Sequence, residues 1–144
     1  MTVIAWDGQT LAGDKRSTFG GVTLTTTKIQ RTPDGSLIGA AGPSGPCRGF
    51  MEWFCRGRDT AKYLTAFDDV HMLAILPDGT AWMFDKGAVP MKVEQPFCAI
   101  GAGMSEAMVA MACGKTAEEA VELTSRYVVS CGNGVDTLTL KQPP

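Results

Sequence analysis

The sequence has a single histidine, His71, and none of its five cysteines forms a CxxC pair. That spacing fits no zinc finger, so neither a metal nor a cofactor is expected. Basic runs are absent and the net charge is −2, which leaves nothing to draw in nucleic acid or an anionic membrane surface. No apolar stretch reaches the roughly 20 residues of a membrane-spanning helix. The first residues lack the positive and then apolar segments of a secretory signal, so a cytoplasmic protein with free thiols is expected. Repeats, low-complexity tracts and linkers are missing too. One domain over residues 1–144 is the expectation.

What is present is a globular composition, 44% hydrophobic and 19% charged, punctuated by glycine and proline. Val3–Trp6 and Thr10–Asp14 read as strands joined at Asp7-Gly8. The β-branched, threonine-rich stretch Val22–Lys28 reads as a third strand, and Ser36–Ala41 as its return after Pro33-Asp34-Gly35. A helix is expected over roughly Cys47–Arg56, with Pro46 near its first turn. Arg56–Asp69 reads as loop and short helix. Strands follow at His71–Leu76, Thr80–Phe84, Ala88–Lys92 and Phe97–Ile100. A helix over Ser105–Cys113 ends at Gly114. Thr116 and Glu119 form a capping-box pattern for a helix to about Val128. Val135–Leu140 is the last strand. Strand runs set apart from helices argue an α+β fold with antiparallel sheets, and these elements fill a sandwich of helix, sheet, sheet and helix.

Three positions carry candidate chemistry. If Met1 is removed, Thr2 holds a hydroxyl and a free α-amine on one residue, a nucleophile beside a base. The plain alternative is the first residue of a strand. Lys28 lies at period two from Val22, Leu24 and Thr26, a face of small and apolar groups. A lysine buried there needs a carboxylate, and Asp14 is available. The plain alternative is two unrelated surface charges. A thiol hydrolase built on His71 and a cysteine is a weaker reading, because His71 reads as a half-buried strand residue with no nucleophile elbow near it.

The opening TVIAWDGQTLAGDKRST resembles the start of a mature proteasome β subunit or of the bacterial HslV peptidase. Both begin with threonine on a first strand and carry a hairpin like Ala12-Gly13-Asp14-Lys15-Arg16-Ser17-Thr18. TTTKIQRTPDGSLIGAAG resembles the segment in which a strand lysine precedes a hairpin and an Ala-Gly pair. AIGAGMSEAMVAMA and SCGNGVDTLTL resemble the later Gly-Ser-Gly turn with its helix and the closing turn with its strand. The resemblance implies the N-terminal-nucleophile hydrolase fold, a four-layer αββα sandwich of antiparallel sheets, here in a short member of the kind found in bacteria and phages. It implies a threonine peptidase or amidase acting on peptide or protein substrates. Thr2 takes the nucleophile's place, Lys28 that of the neighbouring cation, Asp14 that of its anchor, and Gly42 that of the oxyanion donor. Substrate-pocket positions fall on Ser17, Thr26, Ala40 and Ser44, all small and uncharged, which implies an open pocket for apolar side chains. A homo-oligomeric ring is implied as well, with apolar surface around Met104–Met111 and on the first helix at Met51, Trp53 and Phe54; whether an ATPase feeds it is open. Three departures stand against full activity. Ala102 replaces the serine of the Gly-Ser-Gly turn, Val128 an aspartate, and Cys131 the serine of the closing turn unless Ser130 slips into its place. An inactive subunit with an assembly role is the alternative.

Overall fold

In the computed structural model, which describes residues 1–140, the chain forms two large antiparallel sheets packed face to face between helices, with a separate two-stranded ribbon beside them. The strands are β1 (Ile4–Trp6), β2 (Thr10–Asp14), β3 (Arg16–Phe19), β4 (Val22–Thr25), β5 (Ile29–Arg31) and β6 (Leu37–Ala41). Helix α1 (Ser44–Cys55) precedes two 3-10 turns, Thr60–Lys62 and Thr65–Asp69. Then come β7 (His71–Ile75), β8 (Ala81–Asp85), β9 (Met91–Val93) and β10 (Cys98–Ile100). Helices α2 (Met104–Ala112) and α3 (Ala117–Tyr127) lead to β11 (Val135–Thr139).

One sheet has the order β10-β1-β2-β11, and the other is the meander β5 to β9. Side chains alternate across each strand, so each sheet feeds two cores. Ile4, Trp6 and Leu11 meet Ile29, Leu37, Leu73 and Ile75 between the sheets. On the outer face of the first sheet, small residues Ala5, Ala12 and Ala99 let Ala107, Ala117 and Ala120 of α2 and α3 come close. On the outer face of the second, Ile38, Met72 and Phe84 receive Phe50, Trp53 and Phe54 of α1. This is the αββα sandwich. The sheets touch closely at Gly39, where a Cβ would lie 2.9 Å from both Ile4 Cδ1 and Ile29 Cγ2. That approach brings the start of β1 against the end of β6, where the site forms.

Several expected elements shift. The strand expected over Val22–Lys28 ends at Thr25 as β4, residues 26–28 belong to no strand, and a separate strand, β5, begins at Ile29. Val22 and Leu24 are exposed, so the shared apolar face that placed Lys28 does not exist. Strand β3 was not expected. It pairs with β4 across Gly20-Gly21, where φ values of 55° and 81° suit glycine. The strand expected over Ala88–Lys92 lies at Met91–Val93, because Pro90 lacks the N–H a ladder needs. Helix α1 starts at Ser44, earlier than expected, since prolines 43 and 46 are tolerated in a first turn. Trp53 and Phe54 are buried against Phe84 and do not form leftover apolar surface. His71 is exposed and bonded to Asp85 at 3.1 Å, not half-buried.

The capping box is present: Thr116 Oγ1 accepts from Glu119 N, and Glu119 Oε1 accepts from Thr116 N. Among the described residues, no helix is long and apolar enough to cross a membrane, and no cluster of His, Cys, Asp or Glu is placed to hold a metal ion.

Candidate active site

Asp14 ends β2 with its side chain fully buried. A bare carboxylate there would be costly, and it is satisfied on both oxygens. Oδ1 accepts from Val3 N at 3.0 Å and from Lys28 Nζ at 2.9 Å. Oδ2 accepts from Arg16 N at 3.2 Å and from Gly132 N at 3.1 Å. One carboxylate thus ties together the first strand, the β2–β3 junction, the lysine and the turn before β11.

Lys28 sits at the break before β5, and its side chain is 9% exposed. Besides Asp14, Nζ donates to Met1 O at 2.8 Å. That carbonyl belongs to the peptide bond whose nitrogen is Thr2's. The lysine ammonium therefore stands against the peptide group that carries the Thr2 nitrogen. Thr2 itself is buried, and its own carbonyl accepts from Gly103 N at 3.2 Å.

A cavity of about 600 Å³ opens over this group. Thr2, Lys28 and Gly42 line it, and so do Ser17, Thr26, Ala40 and Ser44. Every expected site residue is brought to one place, with Asp14 buried behind them. Gly42 has φ +145°, and a Cβ there would lie 2.9 Å from Asp69 O. Backbone angle and space both require glycine, so Gly42→Ala is expected to lower the unfolding midpoint and to distort the cavity wall. A thermal melt checks the first.

Other lining groups were not singled out from sequence. Arg16 reaches from β3 to the turn before β11, with Nε donating to Asn133 Oδ1 at 3.0 Å and a guanidinium NH donating to Val129 O at 2.6 Å. It fixes the turn that offers Gly132 N to Asp14. Cys47 and Met51, one turn apart on α1, complete the wall. The signal for Arg16 was its place two residues after Asp14; Cys47 gave none until α1 was placed, and Met51, expected as apolar surface for a subunit contact, instead lines the cavity. Gly101 packs directly on the Thr2 backbone, leaving no room for a Cβ.

The thiol reading finds no support in this geometry. Burial pushes the Cys47 thiol up to about 11, even though the Lys28 and N-terminal charges pull it down. His71 does not line the cavity. Cys131 is fully buried, and burial with the nearby Asp14 charge raises its thiol as well. Ala102 is exposed on its turn, and Val128 packs against the core beneath α2 and α3. A second, shallower depression of about 860 Å³ lies at the other end of the β1–β2 hairpin, by Trp6, Lys92 and Lys115, and holds none of the groups above.

No protein-family model matches the chain, and no curated protein does. Solved structures do. Eukaryotic HslV from Trypanosoma brucei aligns over 98% of this chain and 99% of its own, at 17% identity and a TM-score of 0.73. Thiobacillus denitrificans BPH in complex with epoxomicin aligns over 99% of each chain at 16% identity, with a TM-score of 0.73. A further structure of that BPH covers 99% of this chain and 98% of its own, at 17% identity and a TM-score of 0.67. The fold is that of the HslV and proteasome β-type subunits, the N-terminal-nucleophile hydrolase sandwich.

Proposed function

We propose that the chain is a threonine-type peptidase or amidase. The observation that carries this reading is the Asp14–Lys28 pair, buried behind Thr2 with the ammonium 2.8 Å from the carbonyl that caps the Thr2 nitrogen. Removal of Met1 turns that nitrogen into a free amine. An α-amine ordinarily titrates at about 7.7–8.0, and a neighbouring cation disfavours its protonated form, so it is a competent base near neutrality. Thr2 Oγ attacks a substrate amide carbonyl while its proton passes to the α-amine. The negative charge grows on the carbonyl oxygen, against the Gly42 N–H. Collapse expels the leaving amine with that proton and leaves an ester on Thr2, which water hydrolyses. Ser17, Thr26, Ala40 and Ser44 leave room for an apolar substrate side chain, with Cys47 and Met51 as its apolar wall. A homo-oligomeric ring, enclosing the cavity away from folded proteins, suits such an open site.

The second reading is an inactive subunit of the same fold. Ala102, Val128 and Cys131 favour it, because none offers a hydroxyl or carboxylate to hold the amine or a water. Intact mass separates the two. Purified protein that hydrolyses peptide amides is expected to lack Met1, and an active preparation that keeps Met1 would exclude Thr2 as the nucleophile. Protein lacking Met1 that hydrolyses no peptide or amide substrate would favour the inactive subunit.

A further inference from the structure

The last strand of the five-stranded sheet, β9, has no strand on its outer side among the described residues. It lies in the segment Pro90-Met91-Lys92-Val93-Glu94-Gln95-Pro96. A proline closes each end, so at most five residues can join a ladder. Lys92 and Glu94 are both exposed, and neither forms an ion pair among the described residues. Met91 is 64% exposed and Val89 81%, which puts apolar surface on the same rim.

We infer that this edge pairs with the same edge of a second copy of the chain, about a two-fold axis through Val93. The reason is the order of the charges. Antiparallel pairing of the segment with itself sets Val93 against Val93, Lys92 against Glu94 and Met91 against Gln95. Residues directly opposite in an antiparallel pair share a face of the sheet, so each lysine meets a glutamate, twice over by symmetry. Two-fold contacts of this isologous kind are the commonest in homo-oligomers. A short strand with prolines and a lysine is also how sheet edges avoid indiscriminate pairing. Here those features reject most strands and accept one that brings a glutamate opposite the lysine, as this segment itself does. The two sheets then run on as a ten-stranded sheet across the pair. This contact is separate from the cavity, which opens at the other end of β1, and it does not depend on what the cavity does.

Charge exchange tests it. Sedimentation velocity at about 100 µM in low salt, where weak association is populated, is expected to show the wild type associating and each single variant, Lys92→Glu or Glu94→Lys, weakened by tenfold or more. In each variant two like-charged pairs replace two opposite ones. The double variant K92E/E94K restores opposite pairs with their signs exchanged, and its association is expected to return. If the chain also forms a larger ring, the single variants are expected to halve the assembly mass. Circular dichroism is expected to be unchanged throughout, because both side chains are exposed. A wild type with no two-fold association overturns the inference. So do single variants that associate as the wild type does, or a double variant that fails to recover.

Discussion

Asp14→Ala is expected to be the most damaging single substitution to the fold, costing about 3–5 kcal/mol in denaturant unfolding. The loss has several parts. Val3 N, Arg16 N and Gly132 N each donate to this carboxylate, and all three lose their acceptor. The Lys28 ammonium loses its counter-ion at 2.9 Å. An alanine leaves no polar atom to replace either oxygen, and at a fully buried position water has no easy entry. Asp14→Asn is expected to fall between, since the amide keeps one acceptor but turns its NH2 toward two N–H donors. A midpoint for Asp14→Ala within experimental error of the wild type would mean that the carboxylate does not hold these strands together.

The same residue shows how far the sequence could be read. Asp14 stood out because it closes β2 on the same side as Ala12, within reach of a strand lysine, but its local pattern fits an exposed charge equally well, and the burial of Leu11 through Asp14 alike is visible only in the fold. Lys28 was legible for the wrong physical reason. The period-two face from Val22 to Lys28 supposes one continuous strand, but the chain breaks after Thr25, and Val22 and Leu24 point to solvent. The lysine reaches Asp14 because the break places it at the start of β5, under the first sheet. Only the family resemblance pointed there. Residues 16–19 were missed as a strand for a related reason. Their pairing with β4 leaves both strands largely exposed, so no hydrophobic alternation marked them. The burial of Trp53 and Phe54 depends on Phe84, thirty residues on, a contact no local pattern in α1 records. Turns and caps, by contrast, were read well, because glycine at a positive φ and a Thr116–Glu119 box are decided within a few residues.

Lys28→Ala is expected to abolish hydrolysis, lowering kcat/KM by about 10³-fold or more, while the protein stays folded. The two effects separate because of where the partners lie. Removing the lysine leaves Asp14 with three N–H donors, so the carboxylate remains largely compensated and the unfolding midpoint should drop less than for Asp14→Ala. What disappears is the buried ammonium that Asp14 holds beside Thr2. Without that charge the Thr2 amine holds its proton more readily, and the hydroxyl loses the cation that favours its ionised form. Burst kinetics on a fluorogenic peptide amide reads the first turnover directly, and circular dichroism confirms the fold. An unchanged kcat/KM in folded Lys28→Ala protein would remove the lysine from the chemistry. The buried pair would then be a strut between β2 and β5, which is the role an inactive subunit would need it to play.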